Sequence, residues 1–342
     1  MAANNDPHIV VIGGGTGSFT VLSSLKEHTQ NISAVVNMAD DGGSTGILRD
    51  ELGVLPPGDV RQCLVALSRA PETLRTLFNY RYDGGTLGGH AFGNLLLTAL
   101  EKTTGNFGIA VQTASKLLNI TGQVLPVTLE SCKLIHITHD GETISGQHAV
   151  EGHAMHPDIR PELHLEPSPA LNPKVKRALK RAELIVIAPG NLYASLAPTL
   201  LVNGLSEAIK ASSAPIVLVV NLVTKPGQTD GFKVGDFADE IERFIGSRGV
   251  DYVIYNNQKP DATLLEKYAA AGEYWVVIDE QALNIARYQA IGIPLVSGNI
   301  PTHSPGDTLI RRTLIRHDGE LLAQTIMGLL PSRYPAINQL LK

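Results

Sequence analysis

Short apolar runs alternate along the chain with amphipathic stretches, a pattern typical of proteins that alternate strands and helices. The apolar runs predict strands at residues 8–12, 32–36, 184–188, 216–220, 252–255 and 275–278. Residues 184–188 are apolar at every position, as expected for a strand of a parallel sheet that helices cover on both faces. The pattern therefore predicts an α/β fold built on one mostly parallel sheet.

The region from residue 122 to residue 172 has a different pattern of apolar and polar residues. Residues 133–138 and 143–146 flank a short polar turn that contains Gly141, which is a hairpin signal, and a long segment with several Pro and His residues follows. We interpret residues 122–172 as a β-rich insertion or subdomain. Residues 1–121 and 173–342 then form two halves of the same sheet.

A glycine-rich turn follows the first predicted strand and precedes an amphipathic helix at residues 19–28. The candidate ligand-binding residues here are Gly13, Gly14, Gly15, Thr16 and Gly17. A turn of this kind directs backbone N–H groups and a helix dipole at a phosphate, so residues 1–121 are predicted to be a nucleotide-binding half. The match to the dinucleotide fingerprint is incomplete, because Ser18 occupies the third glycine position and Asn37, not an acid, ends the second strand. The alternative is a tight turn that needs glycine only for packing.

The stretch from Asn37 to Arg61 is polar and rich in glycine, yet it follows directly on a predicted buried strand. Its candidate binding residues are Asn37, Asp40, Gly43, Ser44, Thr45 and Arg61, and Asp40 and Asp41 are candidate catalytic or metal-binding carboxylates. Two adjacent carboxylates suit a single Mg²⁺ site better than a general acid/base pair. Asp59 is predicted to cap a helix at residues 60–68, and Arg61 is a candidate phosphate partner. The alternative is a solvated turn with a helix cap.

Three further polar clusters are candidates for the same ligand. His90 and Asn94 lie one helical turn apart near a helix start, where they either face a ligand or serve as a cap and a backbone contact. The clusters that follow the predicted strands at 184–188 and 216–220 contribute Pro189, Gly190, Asn191, Tyr193, Asn221 and Lys225. Because the carboxyl ends of parallel strands lie at one edge of a sheet, these loops predict a single ligand crevice. Asn299 and His303 are weaker candidates for the same edge.

Composition excludes several classes of protein. A net charge of −5 and a pI of about 6.1 provide no basic surface for nucleic acid. No apolar run reaches the roughly 18 residues of a membrane span, and we therefore expect a cytoplasmic protein with no membrane span. Cys63 and Cys132 lie in apolar segments without CxxC spacing, which indicates buried, reduced thiols.

These motifs together resemble those of the CofD-like family, and within it the gluconeogenesis factors of the YvcK type. The resemblance rests on Gly13–Gly17, residues 39–46, residues 55–61, Gly89-His90 with residues 93–96, Pro189-Gly190 with Leu192-Tyr193, and Thr224 with Gly227. It implies a Rossmann-like, doubly wound fold and a nucleotide or nucleotide-sugar ligand such as a UDP-GlcNAc-like molecule, NADP or GDP. It also implies a role in cell shape and envelope synthesis during gluconeogenic growth. Ile47 departs from the pattern, because an arginine is expected there.

Two functions remain open. The first is a non-catalytic UDP-sugar sensor that acts through a protein partner, with Asn37, Asp40, Asn94 and Asn221 contacting sugar and base. The second, by resemblance to the 2-phospho-L-lactate transferases, is an enzyme that moves a phospholactate-type group from an activated nucleoside diphosphate to a deazaflavin-like acceptor. In that enzyme Asp40 or Asp41 orients the acceptor or holds Mg²⁺, and Arg61 or Lys225 offsets phosphate charge. The sensor is slightly favoured, and a homodimer is compatible with either function.

Overall fold

The computed structural model describes residues 6–156, 158–298 and 315–330 of the chain. Its strands are β1 (Ile9–Ile12), β2 (Ile32–Val36), β3 (Gln123–Pro126), β4 (Lys133–Ile137), β5 (Thr143–Ser145), β6 (Glu162–Glu166), β7 (Leu184–Ile187), β8 (Ile216–Val219), β9 (Tyr252–Asn256) and β10 (Gln289–Ile293). The helices of the N-terminal half are α1 (Gly15–Leu25), α2 (Gly43–Leu52), α3 (Gly58–Leu67), α4 (Glu72–Asn79), α5 (Phe92–Thr104) and α6 (Phe107–Leu117). The remaining helices are α7 (Gln147–Gly152), α8 (Pro173–Arg181), α9 (Ala197–Leu200), α10 (Leu205–Lys210), α11 (Val234–Ile245), α12 (Ala262–Ala269), α13 (Glu280–Asn284) and α14 (Gly319–Gly328).

Seven strands form one sheet in the order β10-β9-β8-β7-β1-β2-β3, and every pairing in it is parallel. All residues of β1, β2, β7 and β8 are buried, since these strands are covered on both faces. The strand order reverses direction at β1, because β2 and β3 follow on one side and β7 to β10 follow on the other. The predicted Rossmann-like, doubly wound sheet is confirmed.

The helices form two groups that match this reversal. On one side of the sheet α1 packs against α3 and α14, whereas α10 packs against α8 and α11. Right-handed crossovers that move in opposite directions from β1 place their helices on opposite faces, which explains the two groups. Cys63 and Cys132 are buried in the core and are free thiols, as predicted.

A second, antiparallel sheet of three strands, in the order β5-β4-β6, forms the predicted β-rich insertion. The strand β3, which falls within the predicted limits 122–172, belongs instead to the main sheet, where it pairs with β2. The small sheet therefore begins at Lys133, and the predicted limit at residue 122 lies just before a strand of the main sheet.

One predicted strand is wrong. Residues 275–278 form only isolated bridges, between Trp275 and Val223 and between Val277 and Lys233, and the outermost strand is β10. The strand β10 is short, half-buried and contains Gly292, so it lacks the continuous apolar run that marks the other strands of the sheet. A Cβ at Gly292 would lie 2.7 Å from the end of the Tyr255 side chain of β9, so a larger residue there would require that ring to move.

The polar stretch that follows β2 also contains more regular structure than expected, because α2 begins within it at Gly43. This helix ends where Gly53 adopts the left-handed conformation, with φ of 63°. None of the helices among the described residues is both long enough and apolar enough to cross a membrane. Asn299 and His303 lie outside the described residues.

Candidate functional site

The candidate site is the crevice beyond the carboxyl ends of β1 and β7, where the strand order reverses. In open α/β sheets this switch point is where ligands bind, since the loops on its two sides diverge and leave a gap. The strands β8, β7, β1 and β2 are neighbours in the sheet. The four polar loops that follow them, which the sequence predicts to line one crevice, therefore lie at one edge.

The glycine turn after β1 is built for close packing. Gly13 and Gly15 have φ angles of 150° and 68°, which side chains other than glycine rarely adopt, and α1 begins at Gly15. A Cβ on Gly17 would overlap the carbonyl oxygen of Pro189, so α1 approaches the loop after β7 without a side chain between them. The first turn of α1, which includes Thr16, thus lies against Pro189 and Gly190.

Three buried polar atoms around this turn have no hydrogen-bond partner in the described part of the chain: Asn37 Nδ2, Ser18 Oγ and Asn191 Nδ2. Asn37 follows β2 and Asn191 follows β7, so their amides flank the glycine turn on both sides. The other amide atom of each is used locally, because Asn37 Oδ1 accepts from the Ala39 N–H and Asn191 Oδ1 accepts from the Ala194 N–H, both at 3.0 Å. Burying unpaired donors is costly unless a ligand or water pairs with them, so this position is a candidate binding site.

Two carboxylates, Asp40 and Asp59, lie beside the turn. Asp59 accepts a hydrogen bond from the Gly15 N–H, and a Cβ on Gly14 would overlap its Oδ2. Burial, reinforced by the negative charge of Asp40, raises the pKa of Asp59 to about 7. Burial also raises the pKa of Asp40, although the carboxylate accepts hydrogen bonds from the Gly42 N–H at 3.0 Å and from Thr45. Raised carboxyl pKa values are a recurring property of functional sites.

Asp41 is held by partners in the insertion and in α2. Its Oδ1 accepts from the His148 N–H at 2.7 Å, and its Oδ2 lies 3.8 Å from the Arg49 guanidinium. Asp41 therefore ties the loop after β2 to the start of α7 in the insertion.

We expect Asp41→Ala to loosen α7 without unfolding the main sheet, because the lost hydrogen bond to a charged group is worth roughly 1.5 kcal/mol or more. Amide hydrogen exchange at residues 147–152 should accelerate by about tenfold. Glu51→Ala on the exposed face of α2 is the control and should leave this exchange unchanged. Unaltered exchange in the Asp41 variant would mean that α7 is held by other contacts.

Glu151, at the end of α7, contributes negative charge to both Asp40 and Asp59 and raises the pKa of each. The Lys225 Nζ, from the loop after β8, lies 3.2 Å from Glu151 Oε1. The insertion and the loop after β8 therefore meet over the acidic side of the crevice. The residues next to Glu151 in the sequence form no binding motif, so sequence reasoning could not place it near the crevice.

The predicted residues Ser44, Arg61, His90 and Asn94 form one buried hydrogen-bonded chain. Arg61 Nε donates to Asn94 Oδ1 at 3.0 Å, Asn94 Nδ2 donates to Ser44 Oγ at 3.3 Å, and Ser44 Oγ lies 2.9 Å from His90 Nδ1. Because arginine only donates, Asn94 Oδ1 is the acceptor of the first bond, which leaves its Nδ2 to donate to Ser44. The Ser44 hydroxyl and His90 Nδ1 share the last bond of the chain. Arg61 also donates to Asn79 Oδ1. These side chains hold the start of α2, beside Gly43, in place.

Two other predicted residues have structural roles. The Asn221 amide clamps the Gly190 backbone, accepting from its N–H at 3.1 Å and donating to its carbonyl oxygen at 2.8 Å. The Tyr193 hydroxyl is buried between Glu240 and Arg160, and this burial raises its pKa. Asn221 fixes the loop that carries Asn191, whereas Tyr193 lies within the core behind it.

Comparison with known proteins identifies the family. The sequence profile described as "2-phospho-L-lactate transferase CofD" matches residues 9–296, which include the whole crevice. The chain belongs to the CofD family. A "Putative gluconeogenesis factor" of Thermoanaerobacterium thermosulfurigenes is 39% identical to it over 331 residues, which are 95% of this chain and 98% of the relative. The "Gluconeogenesis factor" of Halalkalibacterium halodurans is 36% identical over 337 residues, 94% of this chain and 95% of the relative.

A solved structure has a similar fold. The crystal structure of a Bacillus halodurans protein aligns with a TM-score of 0.86 at 34% identity, covering 94% of this chain and 99% of that chain. The resemblance to the CofD-like family and its gluconeogenesis factors, which the motifs indicated, is thus confirmed at the level of the family and of the names its members carry.

The structure brings Gly13–Gly17, Asn37, Asp40 and residues 189–191 to the switch point and places Lys225 beyond Glu151. It places Arg61, His90 and Asn94 in a buried chain behind the loop. Sequence reasoning assigned Asp59 only a capping role and did not single out Ser18. The capping role is wrong, because α3 begins at Gly58 and no side chain caps it.

Proposed function

We propose that this CofD family protein binds a nucleotide or nucleotide sugar in the crevice at the β1/β7 switch point. The observation that carries this proposal is the set of unpaired buried donors, Asn37 Nδ2, Ser18 Oγ and Asn191 Nδ2, around the glycine turn. In this proposal the phosphates rest against the start of α1, where backbone N–H groups and the helix dipole favour anions. The side-chain amides of Asn37 and Asn191 then donate to phosphate or sugar oxygens on either side.

The biological role proposed for this binding is that of a gluconeogenesis factor, the name carried by the relatives. The protein would report the level of a UDP-sugar to a protein partner and so adjust cell shape and envelope synthesis during gluconeogenic growth. The insertion supports this proposal in physical terms, because Asp41 and Glu151 connect it to the crevice. A bound ligand that changes the Asp40 environment also changes the contacts of α7.

A second candidate function is transfer of a phospholactate-type group, favoured by the pair Asp40 and Asp59. A Cβ on the intervening Gly58 would lie 2.9 Å from Asp40 Oδ2, which shows how closely α3 approaches this carboxylate. Two acids that repel one another beside a phosphate site suit Mg²⁺, which prefers a few hard oxygen ligands. In this function one carboxylate would accept the proton of an acceptor hydroxyl, as its raised pKa allows near neutral pH.

Thermal unfolding with UDP-GlcNAc, UDP-glucose, NADP, GDP and a deazaflavin, each with and without Mg²⁺, tests both functions. A ligand at about a hundred times its dissociation constant adds roughly 2.7 kcal/mol to the free energy of unfolding. Stabilisation by a UDP-sugar without metal supports the sensor, whereas stabilisation by GDP or the deazaflavin only with Mg²⁺ supports the transferase. If none of these ligands raises the unfolding temperature, nucleotide binding is contradicted.

Asn37→Asp is the matched variant for whichever ligand stabilises the protein. The new carboxylate still accepts from the Ala39 N–H but replaces the unpaired amide donor by a negative charge, so we expect at least about tenfold weaker binding. Gln112→Glu, the same change on the exposed face of α6, should bind as the wild type does. Equal affinity in all three proteins would remove Asn37 from the site.

A further inference from the structure

A cavity of about 480 Å³ lies away from the crevice, between α1, α3 and α4. Phe19, Val65 and Ala66 form its apolar wall. Its polar lining includes Ser23, Lys26, Glu27, Glu72, Arg75 and Asn79. The volume is in the range of small-molecule sites, and an apolar wall with a few polar groups is their usual composition.

Two side chains that line this cavity carry buried hydrogen-bond donors without an acceptor. Ser23 Oγ and Arg75 Nε are buried and have no hydrogen-bond partner within residues 6–156, 158–298 and 315–330. Lys26 is only 9% exposed, and its Nζ donates to the Ser68 carbonyl oxygen at 2.9 Å. An ammonium group has three N–H donors, so two remain. Buried donors that lack acceptors are stabilised by a ligand that supplies acceptor oxygens.

The charges around the cavity favour an anion. Burial lowers the pKa of Lys26, and the positive charges of Arg75 and Arg69 lower it further. Glu27 does not offset them fully, because its carboxylate pairs with the Arg69 guanidinium at 2.7 Å. The exposed Glu72 is then the acid that remains against Lys26 and Arg75.

We propose that this cavity is a second anion site, which binds the phosphate group of a small phosphorylated molecule. The Arg75 guanidinium and the Lys26 ammonium contact the phosphate oxygens, and Ser23 donates a third hydrogen bond. Planar guanidinium groups pair with phosphate in a bidentate geometry, which suits Arg75 for the main contact. The apolar wall at Phe19 and Val65 accommodates the carbon skeleton that carries the phosphate.

The site is connected to the crevice through Asn79, which lines the cavity and accepts from Arg61. Arg61 in turn holds Asn94 and Ser44 at the start of α2. An occupant that moves Asn79 acts on the chain of hydrogen bonds that supports the ligand loop.

Calorimetric titration of the full-length protein with inorganic phosphate, at constant ionic strength, tests the proposal. We expect Arg75→Gln to weaken phosphate binding by at least about tenfold, since it removes a charge-assisted hydrogen bond. Arg177→Gln, the same substitution on the exposed face of α8, should leave the affinity unchanged. Equal affinities in the two variants would overturn the proposal.

Phosphate could also enter the crevice, and Asn37→Asp separates the two sites because it places a negative charge there. If Asn37→Asp still binds phosphate, the cavity is supported as the site. If Asn37→Asp loses phosphate binding and Arg75→Gln keeps it, the phosphate binds at the glycine turn and the proposal is overturned. Lys26→Met provides a second test should Arg75→Gln fail to fold, as judged by circular dichroism. It should show the same loss as the arginine variant.

Discussion

Asp59→Asn is expected to stabilise the protein at pH 8, by about 2 to 4 kcal/mol, because it removes a charge that the fold disfavours. The pKa of Asp59 is raised to about 7 in the folded protein, against roughly 3.9 in an unfolded chain. Between these values the folded state binds more protons than the unfolded state, so the stability of the wild type falls as pH rises from about 4 to 7. The variant should lack this fall and match the wild type near pH 4.

Urea unfolding at several pH values measures this effect, and Asp83→Asn is its control because Asp83 is an exposed acid. The control should keep the stability profile of the wild type. A variant at position 59 that is less stable at every pH would contradict the raised pKa, since it would mean that the ionised carboxylate stabilises the glycine turn through the Gly15 N–H.

The second large effect is expected for Gly17→Ala, which should cost about 3 kcal/mol because the added methyl group meets backbone rather than a flexible side chain. A Cβ at this position overlaps the Pro189 carbonyl oxygen, so α1 must move away from the loop after β7. The same movement widens the gap between the glycine turn and Asn191, and ligand binding in the crevice should be lost as well.

Gly15→Ala distinguishes the steric clash at position 17 from the backbone strain of placing a side chain at a positive φ. Gly15 has a positive φ of 68°, but nothing lies within 4 Å of the Cβ position, so alanine there should cost only about 1 to 2 kcal/mol. Comparison of the two variants by urea unfolding therefore tests the close approach of α1 to Pro189. Equal losses of stability would show that the clash relaxes at no cost.

The local parts of the architecture were predictable from the sequence. Apolar runs such as residues 184–188 are buried on both faces wherever they occur in a parallel sheet, and the polar loops after them must then lie at one edge. The edge strand β10 was not predictable in this way, because it is half-buried and forms by pairing with β9, where Gly292 lies beside Tyr255. Local sequence carries no record of that contact.

In the candidate site, too, local sequence predicted some features and missed those that depend on tertiary contacts. Asp59 follows Pro-Pro-Gly, a sequence that locally resembles a helix cap, but its carboxylate contacts Gly15 only because α3 packs against α1. Arg61 and His90 have the chemistry of ligand contacts. The packing of α3 against α4 and α5 pairs Arg61 with other side chains, and the position of α2 pairs His90 with Ser44. Tertiary contacts thus decide which polar residues of a glycine-rich region face the crevice.

The pairing of β1 with β7 has a consequence for how the chain folds during synthesis. Ile9 pairs with Leu184, so one edge of β1 has no partner until about half of the protein has been made. Contacts so distant in sequence slow folding, and an unpaired apolar strand is a site of aggregation in the meantime. Because the crevice forms only when β7 has been made, a nucleotide bound as proposed would stabilise the protein only in the second half of its synthesis. Early intermediates must therefore survive without help from the ligand.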